Sequence, residues 1–268
     1  MSETALIKDE IIRIVGDKKI APNALIKKAS AIFPFKRDEA KFALRELIEA
    51  GRLSYAYKHG RSFIEKSFDR PVRISRHVVL KPPYASFKPK PGDVVVELNS
   101  GDSFGTGEHP TTRLAVRGVE YVMGKASVAN ASMLDIGTGS GILAITAAGF
   151  GVKKAVGVDI DPCARFEAKR NVALNRHERK IAINNRSINK IDDLFFLITA
   201  NLRFPTIKKL SGKLFQLLKT DGYILFSGLY DEESDEIKNM WGAKKTRLRW
   251  EESEMGWTGV IFQRREEK

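Results

Sequence analysis

A glycine-rich turn between two acids is the pattern in this 268-residue chain that points most directly to chemistry. Asp135 stands near the end of an apolar run, glycines follow at 137, 139 and 141, and a second apolar run ends at Asp159. Because glycine has no Cβ, the main chain of such a turn can pass close to a ligand. An acid 22 residues after Gly137 can accept both hydroxyl groups of a ribose. The pattern therefore predicts a nucleoside-containing cofactor.

The spacing of the glycines favours one class of cofactor. A dinucleotide-binding turn reads Gly-x-Gly-x-x-Gly, which would place the third glycine at 142, but residue 142 is Ile and the glycine is Gly141. Gly-x-Gly-x-Gly after an acid is similar to the turn of class I S-adenosylmethionine-dependent methyltransferases, which cradles an amino-acid moiety. That cofactor carries an ammonium and a sulfonium, so Asp135 beside the turn has a use. The turn alone also fits a tight βα connection that binds no ligand.

A second set of motifs is more specific than the glycine turn. Residues 103–112 read Ser-Phe-Gly-Thr-Gly-Glu-His-Pro-Thr-Thr, residues 199–202 read Thr-Ala-Asn-Leu, and residues 254–261 read Glu-Met-Gly-Trp-Thr-Gly-Val-Ile. Together with the turn and Asp159, these strings closely resemble the ribosomal protein L11 methyltransferase family. The resemblance covers about residues 94 to 264, and the N-terminal domain differs from that family's.

This resemblance implies a fold, a cofactor and a set of contacts. The fold would be the class I methyltransferase Rossmann-like α/β fold with a mixed seven-stranded sheet, and the cofactor would be S-adenosylmethionine. The loop Phe104, Gly105 and Thr106 would close over the methionine end of the cofactor. Further contacts are implied at Thr112, Gly137, Asp159 and Asn201, and we add Asp135 and Gly139 of the turn as cofactor-binding candidates. Asn201, as the catalytic candidate, would either accept a hydrogen bond from the acceptor amine or position the cofactor.

Composition limits the class of protein. Apolar residues make up 43% of the chain, and no apolar run approaches the 18 or more residues of a membrane span. The first residues lack the layout of a secretory signal, and the single cysteine, Cys163, excludes an internal disulfide framework. Four scattered histidines form no metal-ligand spacing. We therefore expect a cytoplasmic protein that neither spans a membrane nor binds a metal.

The positive charge is concentrated in the first third of the chain. The whole chain has a net charge of +13; residues 1–90 hold 20 Lys and Arg against 10 Asp and Glu, whereas residues 91–268 hold 26 against 23. A basic excess confined to one module favours a polyanionic partner such as RNA or a ribosome. A solvated basic surface without a partner explains it about as well.

The N-terminal third predicts a winged-helix-like domain over residues 1–68. Apolar periodicity predicts helices near 4–15, 22–32 and 37–50, followed by a hairpin of two strands near 53–57 and 62–65. Acids and bases cancel on the third helix, which disfavours reading of a DNA groove, since that would require a positive surplus. The surplus lies in residues 52–90 instead, so contact with ribosomal RNA or a ribonucleoprotein is the better prediction.

The rest of the chain predicts a basic, proline-containing linker over 69–92 and a methyltransferase domain over 93–268. After a strand at 94–98 and a helix at 111–123, the pattern alternates strands with helices and closes with a hairpin at 246–252 and 257–263. Such alternation indicates a parallel sheet covered on both faces. Predicted strands lie near 132–136, 154–159, 180–185, 194–200 and 222–227, and helices near 141–150, 162–174, 205–218 and 231–241.

We predict the first of the three functions below and keep two alternatives open, of which the last is not an enzyme. The first is an S-adenosylmethionine-dependent N-methyltransferase acting on a lysine or N-terminal amine of a ribosomal or translation-associated protein. The second is an RNA methyltransferase that holds its substrate with the basic N-terminal module. The third is a transcriptional regulator whose sheet domain only senses the cofactor.

Overall fold

The computed structural model divides the chain into two compact units, Met1–Arg70 and Pro71–Lys268. The residues that it describes are 3–16, 19–32, 37–58, 61–67, 70–99, 107, 109–125, 128 and 130–266.

The first unit contains three helices followed by a hairpin. The elements are α1 (Glu3–Val15), α2 (Pro22–Ile32), α3 (Arg37–Glu49), β1 (Leu53–Lys58) and β2 (Arg61–Lys66). The two strands pair in antiparallel register from Leu53 opposite Lys66 to Lys58 opposite Arg61. Apolar side chains at helical spacing, among them Ile7, Ile11, Leu25 and Leu47, form one core with Ile64 of the hairpin. The order of elements is the predicted one, and the winged-helix assignment stays a prediction.

The expected linker at 69–92 contains two strands that pair within the second unit. A three-stranded sheet has the order β3 (Val72–Arg73), β4 (Val78–Lys81) and β5 (Val94–Glu97), with β4 and β5 parallel. Val78, Val79 and Leu80 are buried, so an apolar run that we assigned to a linker forms a strand instead. The prolines that suggested a linker lie in the connection between β4 and β5. The structure thus places residues 71–92 in the second unit.

The large sheet of the second unit has seven strands in the order β11-β12-β10-β9-β6-β7-β8. Strands β6 to β10 are parallel to one another, whereas β12 is antiparallel to both β10 and β11. The predicted mixed seven-stranded sheet is confirmed. The strands are β6 (Ser132–Ile136), β7 (Lys154–Val158), β8 (Ile181–Asn184), β9 (Phe195–Asn201), β10 (Leu218–Tyr230), β11 (Thr246–Glu254) and β12 (Trp257–Arg264).

Five helices of the described residues accompany this sheet. They are α4 (Pro110–Met123), α5 (Ile142–Gly149), α6 (Pro162–Leu174), α7 (Phe204–Leu217) and α8 (Asp231–Gly242), with a short 3₁₀ turn at Ile188–Lys190. A large apolar core lies between the sheet and two of them, α7 and α8. Apolar residues such as Leu134, Ile198 and Phe226 pack with the fully buried Trp241 of α8. Because parallel strands are buried on both faces, their sequences are almost entirely apolar. None of the helices in the described part of the chain is long and apolar enough to cross a bilayer.

Candidate functional site

The glycine turn connects the carboxyl end of β6 to the start of α5, and its backbone requires glycine. Gly137, Gly139 and Gly141 have φ angles of 68°, 53° and 82°, a left-handed region that other residues rarely adopt. A Cβ on Gly137 would also lie 2.5 Å from Cδ2 of Leu202, which is closer than Cβ atoms approach other heavy atoms in proteins. The Gly-x-Gly-x-Gly spacing therefore reflects the conformation of the main chain.

Asp159 follows β7 and holds the glycine turn from the next strand. Its Oδ2 accepts a hydrogen bond from the amide of Gly139, and its Oδ1 accepts one from the amide of Asp161, each at 3.0 Å. Asp161 then caps α6 by accepting a hydrogen bond from the Cys163 amide at 2.9 Å. Because a carboxylate offers about four acceptor positions, the partly exposed Asp159 retains capacity for further donors. The structure thus joins Asp159 to Gly139 of the glycine turn, two of the residues that the sequence singles out.

Asp135 is a buried anchor between the turn and β9. Only 1% of the residue is exposed. Its carboxylate accepts hydrogen bonds from the hydroxyls of Thr138 in the turn, at 2.7 Å, and Thr199 in β9, at 2.6 Å. Burial and, to a smaller extent, the nearby Asp159 raise the pKa of Asp135 to about 6 against the opposing effect of these two hydrogen bonds. One carboxylate oxygen thus binds the turn and the other binds β9, and contact of Asp135 with a ligand stays a prediction.

Asn201 lies at the carboxyl end of β9, beside the glycine turn. In the parallel pairing of β6 and β9, Ile136 stands opposite Ala200, so Gly137 and Asn201 follow at the same edge. Asn201 is also paired with Ser227 of β10. Within the described ranges no hydrogen bond engages the Asn201 side chain. Its amide is therefore available to a ligand at the edge where parallel strands end.

Thr112 lies at the start of α4, near the same edge of the sheet. Ser227 donates a hydrogen bond from its hydroxyl to the carbonyl of Thr111 at 2.8 Å, which fastens the helix to β10. Thr112 is fully buried, and its hydroxyl has no partner among the described residues. A buried hydroxyl without a partner is costly, which makes it a candidate to bind a ligand atom.

The predicted contacts Phe104, Gly105 and Thr106 lie outside the described residues. The described segment before this loop, which ends at Asn99, is held by hydrogen bonds. Asn171 of α6 accepts a hydrogen bond from the Asn99 amide at 3.2 Å and donates one to the carbonyl of Ser140 at 2.9 Å. One buried asparagine therefore joins the end of the segment before the loop to the glycine turn.

Three aromatic rings meet beside the start of α4. Trp257 of β12 stacks on Tyr230 with centroids 4.2 Å apart, and His109 meets it edge to face at 5.1 Å. His109 also caps α4, because its ring accepts a hydrogen bond from the Thr111 amide. Burial, aided by the nearby Arg113, lowers the pKa of His109. These contacts indicate that His109 holds the start of α4 and do not favour a role in proton transfer.

Sequence reasoning missed four residues at this edge. Thr138 and Thr199 hold Asp135, and their only signal was the presence of hydroxyl residues beside the motifs. Ile160 follows Asp159 and is 97% exposed, and its signal was an apolar residue between two acids. Tyr230, which covers Trp257, ends an apolar strand and carried no signal.

The described residues contain no group of three or more His, Cys, Asp or Glu that could hold a metal ion.

Comparison with known sequences identifies one family. The sequence profile of the ribosomal protein L11 methyltransferase (PrmA) family matches residues 62–265. A ribosomal protein L11 methyltransferase of Geobacter sulfurreducens is 35% identical over 72% of this chain and 62% of its own length. A relative of the same name from Geotalea daltonii is 33% identical over 63% of this chain and 56% of its own length. The chain thus spans about three fifths of the length of these curated relatives.

Comparison with solved structures points the same way. The crystal structure of a ribosomal protein L11 methylase from Lactobacillus delbrueckii subsp. bulgaricus matches with a TM-score of 0.65 and 30% sequence identity. The match covers 74% of this chain and 100% of that chain.

Proposed function

Because the chain belongs to the ribosomal protein L11 methyltransferase (PrmA) family, we propose that it methylates a nitrogen of a ribosomal protein with S-adenosylmethionine. The acceptor is a lysine side chain or an N-terminal amine, and the reaction takes place in the cytoplasm. The observation that carries the proposal is the edge of the sheet where the glycine turn, Asp159 and Asn201 converge. A turn with three left-handed glycines leaves main chain bare for a ligand.

The residues at this edge fit a nucleoside cofactor. Asp159 accepts the two ribose hydroxyls with the acceptor positions that Gly139 and Asp161 leave free. Ile160, which is 97% exposed, offers an apolar surface to the adenine ring. The unpartnered hydroxyl of Thr112 and the loop at 104–106 are assigned to the methionine end. Asp135 holds the turn through its hydrogen bond from Thr138.

The transfer itself requires alignment more than acid–base chemistry. When bound, S-adenosylmethionine supplies a methyl group on a sulfonium, which is a good leaving group. The protein must hold a neutral amine in line with that methyl group and exclude water. We assign the first task to the side-chain oxygen of Asn201, which can accept a hydrogen bond from the amine. The stack of Tyr230 and Trp257 forms an apolar wall on the acceptor side.

The basic region at residues 52–90 is the proposed contact with RNA in a ribonucleoprotein substrate, but its charges are not equally free. Arg73 forms two hydrogen bonds of 2.8 Å with Asp93, and Lys81 forms an ion pair of 2.8 Å with Glu97. Arg70, by contrast, has a buried Nε without a partner in the described part of the chain. Its pKa is lowered by burial and by Arg52. Arg52 and Arg70 are therefore better candidates for a phosphate than Arg73.

Labelling of ribosomes tests this function. The protein is incubated with tritiated-methyl S-adenosylmethionine and ribosomes from cells that lack the corresponding methylation, and the product is digested with nuclease or with protease. We expect label that survives nuclease and is lost to protease. The Asn201→Ala variant should bind the cofactor while losing most of the transfer.

Two other outcomes would each overturn the proposal. Label that is lost to nuclease identifies an RNA methyltransferase. Cofactor binding without any transfer to ribosomal protein or RNA identifies a protein that senses the cofactor without catalysis, as a transcriptional regulator would.

A further inference from the structure

A groove lined by arginines lies at the edge of the seven-stranded sheet. It has a volume of about 480 Å³ and is formed by β11, the end of β12 and the start of β10. Four guanidinium groups line it against two carboxylates; the arginines are Arg247, Arg249, Arg264 and Arg265, and the acids are Asp221 and Glu266. This is a strongly basic surface that the proposed reaction does not use.

The groove is at the opposite end of the sheet from the candidate cofactor site. Asp221 lies near the amino end of β10, whereas Ser227, which pairs with Asn201, lies near its carboxyl end. Arg247 stands close to the start of β11 and pairs with Gln263, near the end of β12. A ligand held in the groove is therefore separated from the glycine turn by the length of the parallel strands.

Two of the four arginines are committed to contacts within the protein. Arg264 donates a hydrogen bond to the carbonyl of Leu218 at 2.7 Å and lies over the ring of Phe215 at 4.8 Å. Arg249 donates from Nε to the side chain of Gln263 at 2.7 Å. Arg247 and Arg265 are exposed and form no ion pair with any carboxylate that the structure describes. Their guanidinium groups are thus free to bind an external anion.

Further cations adjoin the groove in the sequence. Lys219 precedes Asp221 by two residues, and Lys244 and Lys245 precede Arg247. Within three residues of the lining positions the sequence holds eight Lys and Arg against five Asp and Glu, an excess of three that equals the whole excess of residues 91–268, which is 26 against 23. The positive excess of residues 91–268 is therefore concentrated at this edge.

We propose that this groove binds the phosphate backbone of RNA. The guanidinium group presents a planar set of donors that matches phosphate oxygens two at a time. Arg247 lies on β11, Arg265 directly follows β12, and both line the same groove, so a linear polyanion with one charge per nucleotide can contact both. The RNA is held here and not modified, because the glycine turn is at the other end of the sheet.

This inference goes beyond the proposed methyl transfer and does not depend on it. RNA binding is measured without cofactor or acceptor, so a failure of the groove leaves the assignment of the glycine turn untouched. The double substitution below also leaves the basic residues of the first unit in place, so the measurement isolates the contribution of the groove.

The test compares two double variants of the full chain that lose the same charge. Arg247→Gln with Arg265→Gln removes the two free guanidinium groups of the groove. Arg176→Gln with Arg179→Gln removes two exposed arginines without a described ion pair, in the connection before β8, at the opposite edge of the same sheet. The probe is a short, fluorescently labelled single-stranded RNA whose anisotropy reports binding over a range of salt concentrations. Unlabelled RNA and polyglutamate serve as competitors.

We expect the groove variant to bind the RNA about tenfold more weakly than the parent at low salt. The slope of log affinity against log salt concentration should be shallower by about 1.4, because this is the value for the loss of two phosphate contacts on a single strand. The matched variant should bind within about twofold of the parent. Arg247→Lys with Arg265→Lys, which keeps the charge, should retain part of the affinity.

Three results would overturn the proposal. Equal losses in the two double variants would show that only net charge matters. Parental affinity in the groove variant would show that RNA does not use the groove. Polyglutamate competing as strongly as unlabelled RNA would show that the surface takes an acidic protein. Circular dichroism melting of every variant verifies that it is folded.

Discussion

The two ends of the seven-stranded sheet differ in charge and in how their charged groups are held. At the carboxyl ends of the parallel strands, Asp135 and Asp159 are bound to hydroxyl and amide groups of the protein itself. At the amino end of β10, Arg247 and Arg265 line an open groove and form no ion pair with a described carboxylate.

This difference indicates two kinds of recognition. Groups fixed by their own hydrogen bonds are preorganised and suit a small ligand of defined shape. Exposed cations without fixed partners suit a polyanion, and their effect is weakened by salt. We therefore expect substitutions at the carboxyl end to change cofactor affinity or stability, and substitutions in the groove to change the salt-dependent binding of RNA.

The largest effect is expected for Gly137→Ala at the carboxyl end. An alanine at a φ of 68° costs about 1–2 kcal/mol, and its methyl group would be 2.5 Å from Leu202, which adds about 1–3 kcal/mol of overpacking. We expect cofactor binding by calorimetry to be lost and the free energy of unfolding to fall. Gly212→Ala is the matched control, because a Cβ there meets nothing within 4 Å. That variant should bind normally and gain about 0.5–1 kcal/mol of stability; equal behaviour of the two variants would contradict the account.

Asp135→Asn tests whether the buried acid makes stability depend on pH. The pKa of Asp135 is raised from 3.8 to about 6 by burial, so the folded protein binds this proton more tightly than the unfolded chain does. Its stabilising contribution is full below about pH 4 and is lost as the pH rises through about 6. We expect the free energy of unfolding of the parent, measured with urea, to fall between pH 4 and pH 7 by at most about 3 kcal/mol more than that of Asp135→Asn. A difference between parent and variant that is independent of pH would mean that Asp135 is not held in this way.

Asp159→Ala tests the ribose contact. Loss of hydrogen bonds to a charged group should weaken cofactor affinity by about 1–3 kcal/mol, measured by calorimetry with S-adenosylhomocysteine. Asp192→Ala, an exposed acid near the amino end of β9 with only a 3.5 Å ion pair to Lys213, should bind as the parent does. Unchanged affinity in Asp159→Ala would remove this residue from the site.

The smallest effect is expected for Arg73→Gln, which separates paired from free arginines. Arg73 is the main cause of the lowering of the Asp93 pKa to about 2, followed by the amide of Lys90. The ion pair stabilises the protein above about pH 4, and this contribution is lost as the pH falls through about 2. Titration by nuclear magnetic resonance should show a higher Asp93 pKa in the variant, and RNA affinity should be nearly that of the parent. An RNA affinity reduced as much as in the groove variant would contradict the distinction between paired and free arginines.

Much of the second unit was predictable because its sequence pattern is local. Each parallel strand is a short apolar run, and the helices between them begin at recognisable residues such as Pro162 after Asp161. The strands β6, β7 and β9 and helix α6 therefore lie within one or two residues of their predicted bounds. The two strands that we assigned to a linker were missed because β3 has two residues and β4 four, too few for an alternation to be visible beside several prolines.

The candidate site was predictable as a set of residues but not as a network. The glycine spacing indicates where the main chain must turn, and the turn does adopt left-handed angles at 137, 139 and 141. The hydroxyls that hold Asp135 come from positions 3 and 64 residues away. Thr199 reaches Asp135 because β6 pairs with β9, and sequence motifs do not indicate which strands pair. The arginine groove was missed for the same reason, because it forms only when β11 and β12 pair.

A crystal structure of the protein with S-adenosylhomocysteine tests the central claim most directly. The account predicts the ribose hydroxyls on the carboxylate of Asp159, the adenine ring against Ile160 and the amino-acid end along the main chain of the glycine turn. Ligand density in the arginine groove, or no density beside Gly137 and Asp159 at saturating ligand, would contradict it.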